Sequence, residues 1–375
     1  MRVVVTGGGT GGHIYPALAV ARGIKEQDPK ADILFVGTAR GMEADIVPRE
    51  GFLFRTVTVE GLTRKVSPRV LLTLLKTSKG CFEAYKILRE FKPTVVVGTG
   101  GYVCGPVVLS AALLKIPTLI HEQNAYPGIT NKLLARLVSK VAVTFPESKK
   151  FFSPKANLVV TGLPVRPEIQ AANREKAVSA LGLDRDKFTV LVVGGSRGAR
   201  SINKAMVEVI GRAARSENMQ VVHMTGRQGF AETMAEIRAA GVDPAAAMNI
   251  TVRPYLYNMD EALAAADLVV CRAGATTIAE VTVRGLPAVL IPYPYASDNH
   301  QEYNARSLAD NGAAVMILDR DLTGHGLWET IRSLSQHRPG LSAMAACSKK
   351  LGKPEALEDL VQIVRWLSAT KTPTS

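Results

Sequence analysis

The sequence carries the same local pattern twice, once at its start and once near its middle. In the first copy the apolar run Arg2–Thr6 leads into the glycine-rich segment Gly7–Gly12, and a helical pattern follows from about Tyr15. In the second copy Thr189–Val193 leads into Gly194–Ala199 and another helical pattern. A buried strand, a glycine turn and a helix are the building unit of doubly wound parallel sheets. The repeat therefore predicts two similar α/β domains, not one elongated sheet.

The chain length and a proline-rich segment near the middle of the chain agree with two domains. At 375 residues the chain exceeds the size that one hydrophobic core usually reaches. The proline-rich segment Gly162–Pro167 lies between the two copies of the pattern and is typical of a linker. We predict a first domain over residues 1–163 and a second over residues 164–350.

Composition limits the compartment and the partner. Hydrophobic content of 47% with 21% charged residues predicts a folded globular protein. No apolar stretch is long enough to cross a bilayer, and the start of the sequence resembles a strand, so we expect a cytoplasmic protein. Four scattered cysteines agree with that expectation. The net charge of +13 predicts an anionic ligand or membrane surface, while the few aromatic residues among the basic ones disfavour nucleic acid.

The first glycine segment predicts an anion site. Bare backbone amides and the positive end of a helix dipole face any ligand at such a turn. The spacing matches G-x-G-x-x-G, but the strand Ile33–Thr38 ends without the acidic residue that a dinucleotide site needs. His13 follows the turn directly. It is either a helix-entry residue bonded to backbone or a general base beside the bound anion.

Two further strands end in polar or glycine-rich segments. Thr94–Gly98 opens into Thr99–Gly105, and neighbouring glycine turns predict one shared ligand site. Pro117–His121 is followed by Glu122 and Asn124. We interpret His121 as structural, whereas spacing leaves the roles of Glu122 and Asn124 open.

In the second half, Asp267–Cys271 predicts a buried strand that turns into a helix through Gly274. Thr276 is the predicted helix cap. Glu280 then lies one turn further, at the carboxyl end of a strand where α/β sheets bind ligands. The segment Asp298–Asn304 is its expected partner.

The helix predicted after Pro68 mixes apolar and basic residues. Two interpretations remain open, a core-packed amphipathic helix and an apolar patch that lies on an anionic membrane. Five residues would form the membrane-facing surface: Leu71, Leu75, Lys76, Lys79 and Phe82.

Two other chemistries fit parts of the sequence. Gly194–Gly198 also matches the G-x-S-x-G turn of hydrolases, with Ser196 as nucleophile. Its partners would be Asp298 or Asp319 with His325 or His337. The D-x-D pairs Asp184-Arg-Asp186 and Asp319-Arg-Asp321 resemble metal-binding motifs, but aspartates in such turns commonly cap helices.

Taken together, five motifs resemble the MurG family, and the match covers nearly the whole chain in order. They are Gly7–His13, His121–Asn124, Gly194–Ala199, Cys271–Glu280 and Asp298–Asn304. The resemblance implies the GT-B fold, an α/β fold of two Rossmann-like doubly wound domains with a cleft between them. It also implies that a helix at about 352–368 packs back on the first domain.

The activity that the resemblance implies is an inverting transfer of GlcNAc from UDP-GlcNAc to lipid I, which gives lipid II. The accepting group would be the C4 hydroxyl of the muramoyl sugar on undecaprenyl diphosphate, and the reaction would need neither a metal nor a cofactor. A sugar-nucleotide epimerase of the same fold is the alternative. The implied partners are UDP-GlcNAc, lipid I and the anionic cytoplasmic face of the inner membrane, and other cell-wall synthesis proteins could join them.

The resemblance also implies roles for single residues. His13 would be the general base, with Glu122 as its rival. Glu280 would hold the ribose, and Ser196 and Arg166 the donor diphosphate. The remaining donor contacts would come from Thr10, Gly11, Gly12, Asn124, Tyr255, Leu256, Ala275, Thr276 and Gln301. The acceptor diphosphate would lie against Gly11, Gly12, Gly100, Gly101 and Tyr102. His300 and Cys81 depart from the family pattern, which expects a glutamine and a large aromatic residue at these positions.

Overall fold

A computed structural model describes residues 1–59, 69–195 and 198–370, and for residues 69–76 it describes the backbone alone. By its internal contacts this part of the chain forms two compact units. The first unit is Met1–Pro164 together with the segment from Glu355 onward, and the second is Val165–Pro354.

The first unit is built on a seven-stranded sheet with the order β3-β2-β1-β4-β5-β6-β7, in which every neighbouring pair is parallel. Its strands are β1 (Arg2–Thr6), β2 (Asp32–Gly37), β3 (Leu53–Thr56), β4 (Val95–Gly98), β5 (Thr118–Glu122), β6 (Lys140–Val143) and β7 (Leu158–Val160). Its α-helices are α1 (Gly11–Gln27), α2 (Glu43–Arg49), α3 (Arg69–Phe91), α4 (Cys104–Leu113), α5 (Ile129–Leu134) and, from the end of the described chain, α15 (Ala356–Thr370). A short 3₁₀ turn covers Pro146–Phe151.

Both faces of this sheet are covered, as the unbroken apolar strands require. Val3 and Val5 lie in the core cluster that includes α1 and α15, whereas Val4 lies in the cluster that includes α3 and α4. Helix α15 approaches α1 closely at Gly23, where a Cβ would lie 3.1 Å from a methyl group of Val361.

The second unit repeats the design on a six-stranded parallel sheet with the order β10-β9-β8-β11-β12-β13. Its strands are β8 (Phe188–Val193), β9 (Met219–Met224), β10 (Ile250–Arg253), β11 (Leu268–Cys271), β12 (Ala288–Leu290) and β13 (Ala314–Met316). Its α-helices are α6 (Pro167–Ala171), α7 (Arg174–Ala180), α8 (Arg200–Ala213), α9 (Phe230–Ala239), α10 (Met259–Ala265), α11 (Ala275–Arg284), α12 (His300–Ala309), α13 (Gly324–Gln336) and α14 (Arg338–Leu351). Two short 3₁₀ turns cover Ser297–Asn299 and Asp319–Asp321.

The two doubly wound sheets predicted from the repeated pattern are confirmed. In each sheet the strand order reverses beside the strand of the repeat, between β1 and β4 and between β8 and β11. Doubly wound sheets bind their ligands at the carboxyl ends of the strands at this reversal. The glycine turns lie at these ends.

Candidate active site

The first glycine turn leads directly into helix α1. The helix begins at Gly11, ahead of the start at Tyr15 that the sequence pattern indicated, with extended Thr10 as its N-cap. His13 therefore lies in the first turn of the helix. The free amides of Gly11 and Gly12 belong to the helix start, where the helix dipole favours an anion.

The second glycine turn, after β4, packs against the first. Gly8 N donates to Gly100 O at 3.4 Å. Gly101 has φ +83°, and a Cβ there would lie 2.3 Å from Gly8 O, so this position needs glycine. The ring of Tyr102 lies over Gly9, 3.1 Å from where its Cβ would be. The structure thus brings together the residues predicted for the acceptor diphosphate.

Two buried side chains hold these turns, and the sequence analysis assigned neither of them that role. The Cys104 thiol accepts from Gly100 N at 3.1 Å and donates to Thr6 O at 3.1 Å, and burial raises its pKa to about 12. The Glu43 carboxylate is 1% exposed and accepts from Gly9 N at 3.1 Å and from Thr38 N at 3.0 Å. Because Glu43 is 34 residues from Gly9 in the chain, local pattern gives no sign of this contact.

His13 is held by its Nδ1 atom. This atom lies 3.0 Å from Thr99 O and 3.1 Å from the Gln123 side-chain oxygen. A carbonyl oxygen can only accept, so Nδ1 carries the proton. No described residue donates to or accepts from His13 Nε2. Nε2 therefore has an unused lone pair that can take a proton.

Glu122 is arranged differently. Its side chain is buried, and both carboxylate oxygens accept hydrogen bonds from the segment that follows β5. Oε1 accepts from Asn124 N at 3.0 Å, and Oε2 accepts from Gly128 N at 3.0 Å and from Asn131 Nδ2 at 2.8 Å. Asn124 Nδ2 lies 3.4 Å from Oε1. The carboxylate therefore holds the segment from Asn124 to Asn131 in place after β5.

The second unit has its own turn at the end of β8. Gly194 and Gly195 are described, whereas Ser196 and Arg197 lie outside the described residues. Gly198 has φ +82°, and a Cβ there would lie 2.1 Å from Thr225 O. Helix α8 then begins at Arg200 with Ala199 as its N-cap. The predicted contacts of Ser196 stay a prediction.

The turn after β11 places Glu280 and Arg166 together. Helix α11 begins at Ala275 with Gly274 as N-cap, so the prediction that Thr276 caps it is wrong; Thr276 lies in the first turn. Gly274 has extended backbone and caps the helix without a side-chain hydrogen bond. The Glu280 side chain is 14% exposed and its Oε1 lies 3.6 Å from the Arg166 guanidinium. Burial raises the pKa of the Glu280 carboxyl, and Arg166 partly offsets that rise.

Arg272 organises the same end of the sheet. Its guanidinium donates to Asp319 Oδ1 at 2.5 Å, to Ser201 Oγ at 2.9 Å and to the carbonyl of Ile291 at 3.2 Å. Ser201 also donates to Asp319 at 2.6 Å. Asp319 is thus an ion-pair partner of Arg272. The described residues contain no group of three or more His, Cys, Asp or Glu side chains arranged to hold a metal.

Helix α12 contacts this turn through Asn304, whose Nδ2 donates to Ala273 O at 3.1 Å. Asp298 and Asn299 have φ +54°. Gln301 Oε1 accepts from Tyr293 N at 2.9 Å, and His300 Nδ1 lies 2.7 Å from Ser297 O. The structure therefore places Asn304, the last residue of the predicted partner segment, against the Arg272–Glu280 turn.

Tyr255 and Leu256 follow β10 at the same end of the sheet. Leu256 is buried, and its backbone amide lies 3.4 Å from Met224 Sδ, which is a weak acceptor. The Tyr255 ring packs edge-on against Tyr257, with centroids 4.9 Å apart, and the Arg227 guanidinium lies 5.5 Å from its centroid. The pair forms an aromatic surface beside the Leu256 amide.

Of the predicted membrane-facing residues, Lys79 and Phe82 lie exposed on α3, and Lys86 Nζ stacks 4.5 Å from the Phe82 ring. The side chains of Leu71, Leu75 and Lys76 lie outside the described residues. Four exposed aliphatic residues that the sequence analysis missed lie on α4, on α5 and just after it: Leu113, Ile129, Leu133 and Leu137. In the described residues, no helix is both long and apolar enough to span a bilayer.

Comparisons with known proteins agree with this architecture. Residues 3–143 match the Glycosyltransferase family 28 N-terminal domain, and residues 189–360 match the Glycosyltransferase family 28 C-terminal domain. A crystal structure of Acinetobacter baumannii MurG superposes with a TM-score of 0.80 at 31% identity, covering 97% of this chain and 99% of that one. The fold and the two turns thus define a glycosyltransferase with the two-domain GT-B fold.

Full-length relatives narrow the class. A Desulforamulus reducens protein is 55% identical over 97% of this chain and 98% of its own length, and a Moorella thermoacetica protein is 51% identical with the same coverage. Both are named UDP-N-acetylglucosamine--N-acetylmuramyl-(pentapeptide) pyrophosphoryl-undecaprenol N-acetylglucosamine transferase. The chain belongs to this family of transferases, the MurG family that the motifs indicated.

Proposed function

We propose that the protein transfers GlcNAc from UDP-GlcNAc to lipid I, the undecaprenyl-diphosphate-linked MurNAc-pentapeptide, and so forms lipid II. The observation that carries this function is the identity of 55% with a transferase of that name over 97% of the chain. The protein is accordingly a UDP-GlcNAc-dependent N-acetylglucosaminyltransferase of peptidoglycan synthesis.

We assign the donor to the second unit. Glu280 would accept hydrogen bonds from the ribose hydroxyls, and Arg166 at 3.6 Å from Glu280 would contact the neighbouring diphosphate with Ser196. Ala275 and Thr276 would add contacts from the start of α11. Leu256 would meet the uracil beside Tyr255, and Gln301 would contact the sugar. Arg166 and the helix-start amides would stabilise the departing diphosphate, so the step requires no metal.

We assign the base to His13. Its Nε2 would take the proton from the C4 hydroxyl of the acceptor as that oxygen forms a bond to C1 of GlcNAc. The bond from C1 to the UDP oxygen breaks on the opposite face, which inverts the anomeric centre. The open Nε2 supports this role. Glu122 is the weaker candidate, because three strong hydrogen bonds occupy both of its oxygens.

We assign the acceptor to the first unit. The lipid diphosphate would lie against the glycine turns at Gly11, Gly12, Gly100 and Gly101, with the Tyr102 ring beside them. The exposed apolar and basic residues of α3 to α5 would rest on the anionic cytoplasmic face of the inner membrane, which makes the enzyme a peripheral membrane protein. Other cell-wall synthesis proteins would meet it at that surface.

One assay tests the function against its alternatives. The purified protein is incubated with UDP-GlcNAc, with and without a lipid I analogue, and the products are separated. We expect UDP and a GlcNAc-extended lipid only when the acceptor is present. Isomerised nucleotide without acceptor would indicate an epimerase, and labelling of Ser196 by a fluorophosphonate would indicate a hydrolase. Neither outcome is favoured by the full-length relatives, and UDP-GlcNAc 2-epimerases share the fold at only 13% identity.

A further inference from the structure

Gln123 occupies a central position in the first unit. It is 2% exposed and lies between the two histidines of this region. Its side-chain nitrogen lies 2.7 Å from Thr99 O, 3.0 Å from His121 Nδ1 and 3.1 Å from His121 O. Its side-chain oxygen lies 3.1 Å from His13 Nδ1. Both polar ends of the amide are therefore engaged, one of them by the proposed base.

The orientation of this amide follows from its neighbours. Thr99 O and His121 O can only accept hydrogen bonds, so the amide nitrogen must point at them. The amide oxygen must then point at His13, and His13 Nδ1–H donates to it. A flipped amide would set two pairs of acceptors against each other in a buried site, which is costly.

The protonation of His121 follows in the same way. His121 Nε2 lies 2.8 Å from Gly162 O, so Nε2 carries the proton and Nδ1 accepts from Gln123. Burial lowers the pKa of His121 to about 4, so the ring is neutral near pH 7. Hydrogen bonds thus run in one direction, from His13 through Gln123 and His121 to the carbonyl of Gly162.

We propose that Gln123 is a positioning residue for the transfer reaction, which together with the Thr99 carbonyl holds His13 as the Nδ1–H tautomer and directs the free Nε2 lone pair to the acceptor hydroxyl. The inference rests on the proposed role of His13 as base. When Nε2 takes the proton, Nδ1 keeps its own, so no proton moves along the chain. The amide oxygen stabilises the resulting imidazolium as a second acceptor for Nδ1–H, in addition to the Thr99 carbonyl.

The tautomer is tested directly on the unsubstituted protein. Histidine is labelled with ¹⁵N, and the His13 signals are identified by their loss in His13→Gln. We expect a protonated-type ¹⁵N shift at Nδ1 and an unprotonated-type shift at Nε2 near neutral pH. The reverse pattern would overturn the proposal whatever the variants do.

The positioning role is tested with Gln123→Met, which keeps the length and approximate volume of the side chain but removes both polar ends. We expect kcat to fall about 10-fold with donor KM within about twofold, which is the lower end of the effect known for hydrogen-bond partners of metal-bound histidines. The matched control is Gln220→Met. Gln220 is equally buried in the second unit and donates to Asp184 O at 2.7 Å. An equal loss of kcat in both variants would overturn the proposal.

A double-variant cycle separates this proposal from the proposed function. If Gln123 acts through His13, Gln123→Met has no further effect on kcat in the His13→Gln background. Additive losses would overturn the positioning role while leaving His13 as base. Full activity of His13→Gln would instead remove the proposed base itself.

Discussion

The two glycine turns of this protein share the sequence of strand, glycine turn and helix but differ in what surrounds them. The first, after β1, is held by hydrogen bonds to Glu43 and the Cys104 thiol and by close packing against the Gly100–Gly101 turn. In the second, after β8, Gly195 has φ +91° and no described atom lies within 4 Å of where its Cβ would be. Gly194 and Gly198 are tightly constrained there, because a Cβ would lie 2.6 Å from Ala199 N at Gly194 and 2.1 Å from Thr225 O at Gly198.

The difference follows from what each turn is proposed to do. Both turns are proposed to bind a diphosphate through backbone amides, which requires open space in front of the helix start. The first turn also carries the proposed base, and a general base must be held within a fraction of an ångström of the proton it removes. The contacts that Glu43 and Cys104 make behind the first turn agree with this additional requirement.

The largest expected effect tests whether the base belongs to the first turn. His13→Gln should lower kcat by about 10² to 10⁴-fold with little change in donor KM, because general base catalysis contributes on that scale. Initial rates at saturating lipid I analogue measure it, with exposed His325→Gln as control. Glu122→Gln should reduce the free energy of unfolding, because the carboxylate holds the loop after β5. Its effect on kcat should be smaller than that of His13→Gln. A loss of kcat for Glu122→Gln as large as that for His13→Gln would contradict the preference for His13 over Glu122 as the base.

Acid should destabilise both units through one buried histidine each. Burial lowers the pKa of His121 to about 4 and of His223 to about 3, against 6.5 for a free side chain. As pH falls below 6.5, each histidine binds a proton in the unfolded chain but stays neutral in the folded one. The free energy of unfolding therefore falls by about 1.4 kcal/mol per pH unit for each histidine.

Urea unfolding at pH 6.5 and pH 4.5 measures this loss. His121→Leu and His223→Leu should each remove roughly 2 to 3 kcal/mol of it, whereas exposed His325→Leu should not. If the unfolding free energy falls equally between pH 6.5 and pH 4.5 in all three variants and in the unsubstituted protein, the acid sensitivity comes from carboxylates alone.

Alanine substitutions at one glycine of each turn compare how tightly the two turns are packed. Gly101→Ala forces a Cβ to 2.3 Å from Gly8 O, whereas no described atom lies within 4 Å of the Cβ position at Gly195. Both substitutions place a Cβ on a residue with positive φ, which is unfavourable, but only Gly101→Ala adds a backbone clash. Gly101→Ala should therefore lower the free energy of unfolding by about 2 kcal/mol more than Gly195→Ala. Chemical denaturation gives the difference. Equal costs would show that the first turn relaxes as freely as the second.

The smallest expected effect concerns donor binding in the second unit. Glu280→Ala should raise donor KM about 10-fold, because hydrogen bonds from the ribose hydroxyls to a carboxylate would be lost. Its kcat should change much less than that of His13→Gln. Titration with UDP on its own, followed by calorimetry, checks the assignment without the acceptor. An unchanged affinity for UDP would exclude Glu280 from the donor site.

Sequence predicted the parts of the fold that depend on local pattern. The runs Arg2–Thr6 and Thr189–Val193 with their glycine turns were enough to indicate two doubly wound sheets, and the motifs indicated the family. Contacts between distant residues were not predictable in this way. His13 and Gln123 are 110 residues apart, and the role of Gln123 depends on the strand order that brings β1, β4 and β5 side by side. Local pattern predicts Thr276 as the helix cap because threonine is a common cap, whereas Gly274 caps the helix in the structure.

The last helix of the described chain also has a consequence for the order in which the protein forms. Leu360, Val361, Val364 and Leu367 of α15 belong to the core of the first unit, beside Val3 and Val5. On the ribosome, the second unit is therefore synthesised in full before the first can close its core. The unit that is begun first is finished last, and a stop codon placed before α15 would expose the hydrophobic face of α1 rather than damage the donor unit.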